Sequence, residues 1–162
     1  MSPLSVLVDS NTIIYAAKKP GGAIARWMAR LKPFVTDVSY YECLQRWSLI
    51  HTPDKALERA FLEAFFIQAQ EESRYIETHW WEPENDYAAR ALELQFYGVK
   101  ERDAYIAAAA ERQDCLLVTA DNRNDFAPRL LRLNELGKGA FKVWTYPFSP
   151  AGAHEQLFAD WI

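Results

Sequence analysis

RDAYIAAAAERQDCLLVTADNRNDF, residues 102–126, is the stretch on which the reading of the fold turns. It opens with an alanine-rich helix, turns at Gln113 and Asp114, runs through an apolar strand over 115–119, and ends in a polar loop carrying Asp121 and Asp125. One acid, Asp103, stands at the helix start, and two more stand just beyond the strand end. In an open parallel sheet, ligands gather outside the carboxyl ends of strands and at the N-termini of the helices that follow. Acids at both places mark a candidate site.

The beginning of the chain has the same design. Residues 5–8 are a short Val-rich run that suits a buried parallel strand, and Asp9 stands at its carboxyl end. Ser10 or Asn11 is expected to cap the helix beginning at Thr12, and Lys18-Lys19-Pro20-Gly21-Gly22 to end it. Ile24, Trp27, Met28 and Leu31 form one apolar stripe on a second helix over 23–31. Pro33 stops that helix, and 34–36 reads as a second short strand. Asp37 or Ser39 is expected to cap a helix over 40–50, with Glu42 in its first turn. Alternating strands and helices at both ends imply an α/β fold: a single-domain parallel-sheet sandwich, flanked by helices in three α/β/α layers. In that fold Asp9, Glu42, Asp103 and Asp121 converge on one sheet edge.

The middle third carries no chemistry of its own. Residues 53–69 are strongly helical, 75–78 suit a short strand leading to His79, Trp80 and Trp81, and Pro83 opens a helix running through Tyr97 to Gly98. The segment is assigned to packing, a lid or a subunit interface. Its aromatic-rich helices between 61 and 97 have more apolar surface than one small sheet covers, which suggests a homodimer. Residues 127–142 set Arg129, Arg132, Lys138 and Lys142 against a single acid, Glu135, and read either as a solvated face or as a phosphate-contacting one. Residues 141–146 alternate like a strand and 153–162 suit a closing helix. With no repeat or linker, residues 1–162 read as one domain.

Charge neither selects nor excludes a nucleic-acid substrate. The chain has 18 Lys and Arg against 22 Asp and Glu, a net charge of -4, whereas phosphate contacts need local positive charge. Committing four carboxylates to a divalent ion would leave 18 against 18. Cys43 and Cys115 have no CxxC spacing and read as reduced and buried. No stretch approaches membrane-spanning length and the start does not read as a secretory leader, so the expected location is the cytoplasm.

Clustered carboxylates repel, and without a counter-ion one of them takes up a proton. A hard divalent ion removes that penalty, and oxygen ligands suit Mg²⁺. The chemistry such a site supports is phosphodiester hydrolysis. His51, His79 and His154 have no metal-ligand spacing, which argues against a zinc hydrolase. Each acid taken alone also has a structural reading: Asp9 as cap or turn, Glu42 and Asp103 at the positive end of a helix dipole, Asp121 in an Asx turn. Their joint placement at one edge favours a site.

The motifs themselves resemble a known family. VLVDSNTIIYAA resembles the opening of a PIN (PilT N-terminus) domain. Ser39-Tyr40-Tyr41-Glu42 is similar to its second motif, residues 102–109 to its third, and residues 117–126 to its fourth. The resemblance implies a PIN-like ribonuclease fold dependent on Mg²⁺ or Mn²⁺, of which the VapC toxins of toxin–antitoxin pairs are numerous small members. Carried over by position, Asp9, Glu42, Asp103 and Asp121 would be the catalytic, metal-binding acids and Asp125 an auxiliary metal ligand. Asn11 and Thr119 would orient the ligands by hydrogen bonds, and Arg123, Arg129 and Arg132 are candidates for contacting substrate. The expected partners are an RNA substrate, a small antitoxin and a second copy of the chain. The alternatives are a non-cleaving PIN-fold module that binds nucleic acid or protein, and a DNA-directed nuclease of the same metal chemistry.

Overall fold

The computed structural model describes residues 4–49, 55–120, 125–149, 152 and 154–161. Three parallel strands form its centre: β1 (Val6–Val8), β4 (Leu116–Ala120) and β5 (Lys142–Tyr146), in the order β1-β4-β5. A parallel pair, β2 (Val35–Thr36) and β3 (Tyr75–Ile76), lies alongside. A parallel bridge between Leu7 and Phe34 joins the two sheets. The strands therefore run β3-β2-β1-β4-β5, all parallel, as helical crossovers require.

Side-chain alternation splits the interior into two cores. Leu7, Leu117 and Val143 face one side, where α5 (Ala88–Phe96), α6 (Glu101–Arg112) and α7 (Phe126–Glu135) pack. Val6, Val8, Val118, Ala120 and Tyr146 face the other, beneath α1 (Ser10–Lys18), α2 (Ala23–Leu31), α4 (Ala56–Glu71) and α8 (Glu155–Asp160). Helix α3 (Asp37–Leu49) serves both cores, giving Val38 to the first and Cys43 to the second. The result is the expected three-layer α/β/α arrangement. Helix α6 can sit deep because five of its twelve residues are alanine: residues 104 and 107–110 are all buried, and their small side chains let it approach its neighbours closely.

Helix ends are fixed by backbone geometry. After α4, α5, α6 and α7 the chain enters the left-handed region at Ser73, Gly98, Asp114 and Gly137. In each case two N–H groups fold back onto the last turn, as Gly98 N–H to Gln95 O (2.9 Å) and Val99 N–H to Leu94 O (3.1 Å) do in α5, the pattern of a Schellman motif. Gly98 is required by its φ of +95°; a Cβ there would also come within 2.4 Å of Arg129 Nη1, the far end of a side chain that can move aside.

Some expected boundaries move. Asp9, not Ser10 or Asn11, caps α1, its side chain accepting from Thr12 N–H. Helix α3 begins at Asp37, which puts Glu42 in the second turn; Thr36 Oγ1 accepts Ser39 N–H (3.2 Å), and the Asp37 carboxylate is turned elsewhere. The helix expected from Pro83 starts only at Ala88, because Asn85 ties the preceding residues into turns by accepting Tyr87 N–H and donating to Glu82 O. Pro53, expected at the start of α4, lies outside the described residues. Both cysteines are free and buried. No helix among the described residues is long and apolar enough to cross a membrane.

Candidate functional site

The site is built around Asp9, which has 0% exposure. It leaves the end of β1 and begins α1, so one residue joins sheet edge and helix start. Its Oδ1 accepts Thr12 N–H (3.0 Å) and Thr12 Oγ1–H (2.8 Å), and its Oδ2 accepts Thr119 Oγ1–H (2.6 Å) from β4. Thr12 donates its only hydroxyl proton to Asp9, so Tyr146 must donate to Thr12 Oγ1 (2.7 Å). A hydrogen-bond chain thus runs from β5 through α1 to the carboxylate, and β4 closes it from the other side. The register makes this possible: Val8 pairs with Val118, which brings Thr119 level with Asp9.

Ser10 connects this acid to the next one. Its hydroxyl lies 2.6 Å from Glu42 Oε1 and 3.0 Å from Ser39 Oγ. With one proton to give, Ser10 donates to the carboxylate, the shorter and stronger bond, and accepts from Ser39. The other oxygen of Glu42 faces a cation, with Arg102 Nη1 3.6 Å from Oε2. Arg102 is followed by Asp103, 5% exposed in the first turn of α6, where the helix dipole favours a carboxylate. Asp9 and Glu42 are thus linked through Ser10, and Asp103 stands at the start of α6 next to the arginine that faces Glu42. Beside them the Cys43 thiol is held in its protonated form, by burial first and then by the charges of Glu42 and Asp9.

The donor set consists of carboxylate oxygens without imidazole or thiolate, which suits a hard cation. Among the described residues no three His, Cys, Asp or Glu side chains lie close enough together to share one ion. Asp121, which directly follows β4, lies outside the described residues, as does Arg123. The remaining expectations fall into place unevenly. Thr119 makes the bond to Asp9 expected of it, whereas Asn11 makes no hydrogen bond to the acids among the described residues. Asp125 is exposed at the N-cap of α7 with φ +57°, and lines a groove with Arg129 and Arg132. Arg132 pairs with Glu135 (3.1 Å) and Arg129 lies over Gly98. The basic segment is less one-sided than its sequence, since Lys142 pairs with Asp114 (2.7 Å).

Ser10, Thr12, Ser39 and Tyr146 contribute to the site, although Ser10 and Ser39 were expected as helix caps rather than site residues and the other two not at all. The first three are small hydroxyl residues within three positions of an acid, a usable signal. Tyr146 lies 134 residues from its partner and offers none.

Comparison with known proteins identifies the fold. The family model described as "PIN domain" matches residues 6–128. No curated protein matches the chain significantly. Among solved structures, VapBC2 from Rickettsia felis, bound to a DNA fragment from its promoter, superposes with a TM-score of 0.55 at 16% identity, covering 88% of this chain and 99% of that one. FitAcB from Neisseria gonorrhoeae gives 0.55 at 14%, covering 86% and 96%. FitAB bound to an IR36 DNA fragment gives 0.56 at 17%, covering 86% and 94%.

Proposed function

The chain belongs to the PIN domain family, and on that premise we propose that it is a divalent-metal-dependent endoribonuclease, the toxin of a toxin–antitoxin pair. The observation that carries this reading is the fully buried Asp9, held by donors from α1 and β4 and linked through Ser10 to Glu42. A chain that needed only a helix cap would not also tie it through a buried serine to a second carboxylate, Glu42.

Asp9, Glu42 and Asp103, with Asp121, would hold Mg²⁺ or Mn²⁺, and Asp125 would assist. The bound ion supplies a more acidic water and neutralises charge on the attacked phosphate. The residues of the chain do the remaining work. Thr12 and Thr119 hold the Asp9 carboxylate in one orientation, Ser10 does the same for Glu42, and Arg102 offsets the negative charge of the cluster. One of the carboxylates accepts the proton that the attacking water loses. Arg129 and Arg132, with Arg123, would contact the RNA backbone.

Two solved neighbours are VapBC2 and FitAB, each bound to a DNA fragment, and a small antitoxin is proposed here by that likeness. A groove of about 170 Å³ between α3 and α4, bordered by exposed Leu44 and Ile67, suits an apolar partner segment. A homodimer would cover Leu92 and Phe96, which lie four apart on α5 and are 67% and 84% exposed.

Incubation of the chain with structured and single-stranded RNA, with Mg²⁺, with Mn²⁺ or with EDTA, tests the reading. Cleavage is expected only with the divalent ions, and none is expected from an Asp103→Asn variant. Metal-independent cleavage, or full activity in that variant, would overturn it. The Arg102–Glu42 pair favours a second reading, a PIN-fold module that binds without cutting, because it neutralises one acid without metal. That reading requires no divalent-ion binding by calorimetry. A preference for matched DNA over RNA strands would make the chain a DNA-directed nuclease.

A further inference from the structure

Beside Glu42 lies a row of aromatic side chains of which Tyr41 and Trp81 belong to neither core, while Trp80 packs partly against the first. The Arg102 guanidinium faces Glu42 and Gln45 Oε1 (3.3 Å), and its Cζ also lies 5.7 Å from the Tyr41 ring centroid. Tyr41 meets Trp80 edge-on at 5.2 Å, and Trp80 meets Trp81 at 6.2 Å and 87°. His79 lies against Trp81 at 5.5 Å. Tyr41 and Trp81 are 41% and 59% exposed. Large rigid rings left in water beside a polar site are more informative than rings in a core.

The loop carrying these rings is held firmly. His79 has φ +54°, a conformation that a non-glycine residue adopts only when its surroundings impose it. The Asp37 carboxylate imposes it, accepting Thr78 N–H (2.9 Å), Thr78 Oγ1–H (2.6 Å) and His79 N–H (2.9 Å). The strain presents Trp80 and Trp81 in a fixed pose. Trp80 Nε1 is buried with no hydrogen-bond partner among the described residues; native proteins seldom leave such a donor without an acceptor.

We propose that Tyr41, Trp80 and Trp81, joined to Glu42 through Arg102, form a stacking platform for an unpaired base of the RNA strand that enters the acid site. The inference rests on the nuclease reading and specifies how its substrate is held. Two features select a base over other occupants. Every base has a π-face, so stacking on aromatic rings works for any sequence, and the adjacent guanidinium adds a cationic contact. Glu77, Glu82 and Glu84 are exposed around the loop, which turns phosphates away from the rings and toward Arg102. The contact is therefore through the base, and it requires an unstacked, single-stranded segment.

Binding can be separated from cleavage in the full chain carrying Asp103→Asn, measured in EDTA by anisotropy of a labelled single-stranded oligoribonucleotide. Adding Trp81→Ala or Tyr41→Ala is expected to weaken binding roughly 10- to 100-fold, and Trp81→Phe to restore most of it. Both side chains are exposed, so the variants are expected to melt with their parent. Binding of the corresponding duplex is expected not to change. In the cleaving chain, Trp81→Ala is expected to raise KM and leave kcat unaltered. Binding and KM within twofold of the parent would overturn the platform, as would a Trp81→Ala variant that loses only a protein partner. If RNA binds in a Trp81-dependent way but is never cut with Mg²⁺ or Mn²⁺, the platform stands and the nuclease reading falls. If RNA is cut equally well without Trp81, the nuclease reading stands and the platform falls.

Discussion

Replacing Thr119 with valine keeps the shape of the side chain and removes one hydrogen bond. The hydroxyl donates to Asp9 Oδ2 at 2.6 Å, and both residues have 0% exposure, so water cannot take its place. A hydrogen bond to a charged group contributes about 1.5–3 kcal/mol. The full burial puts Thr119→Val in the upper part of that range, about 2–3 kcal/mol. For a chain of this length that is a fall in Tm of roughly 4–12 °C. Thr119→Ser is the complement: it keeps the donor and loses a methyl, at a cost of about 1 kcal/mol. Thermal melts of the two variants therefore order as parent, Ser, Val. A second readout addresses the site itself. Loss of a group that orients a ligand weakens metal binding about 10- to 100-fold, so the rise in Tm on adding Mg²⁺ or Mn²⁺ is expected to need correspondingly more ion in the Val variant. A Val variant that melts within a degree of the parent, or above the Ser variant, would refute the claim that this bond holds Asp9.

Three further perturbations test the frame around the site. Gly98→Ala meets both a positive φ and the Arg129 guanidinium and is expected to cost about 1–3 kcal/mol in a denaturant titration; adding Arg129→Ala relieves the collision and leaves the backbone cost. Burial of His154 against Tyr146 and Phe148 keeps its pKa below the usual 6.5, against the pull of Glu155. The unfolded chain therefore takes up this proton first, and stability is expected to fall as pH drops below 6.5, less so in His154→Phe, by melts at pH 7.5 and 5.5. Glu111 is pushed up by burial but brought below its usual pKa by Arg90, which grips both its oxygens (2.8 and 2.9 Å), and by Ala140 N–H. That contribution is present above pH 4.5 and is lost as pH falls through the lowered value. Arg90→Lys loses the two-pronged grip and is expected to cost about 1–2 kcal/mol at neutral pH.

The parts of the fold legible in the sequence are those set by local patterning. Helix α2 falls on residues 23–31 because its apolar stripe, Pro33 and the preceding glycines leave no other solution, and Gly98 ends α5 where only a residue tolerant of positive φ fits. Of the candidate site, the sequence marked Asp9 after the apolar run that becomes β1 and Asp103 at the start of α6. How the acids are held was not legible, because their partners are distant. Tyr146 reaches Thr12, Thr119 reaches Asp9, and Asp37 turns from its own helix to hold Thr78 and His79. Asp37 illustrates the difficulty: by sequence it is a helix cap like any other, and only the neighbouring β3 loop gives its carboxylate three better donors. The exposed rings of Trp81 and Tyr41 were hidden for a related reason, since composition counts tryptophans without saying which ones a core leaves out.

The pairing of β1 with β4 has a consequence for the order of synthesis. Asp9 leaves the ribosome 110 residues ahead of its β4 donor Thr119, an interval of roughly 5–20 s at ordinary elongation rates. Throughout that time β4 is missing from one side of β1 and the carboxylate has only the donors of its own helix. Glu42 emerges early as well, whereas Arg102, its counter-charge, emerges late. The carboxylate cluster is therefore assembled only when most of the chain has been made. Until then Asp9 and Glu42 lack their partners from β4 and α6, so the site is completed only after the segment from Arg102 to Thr119 has emerged.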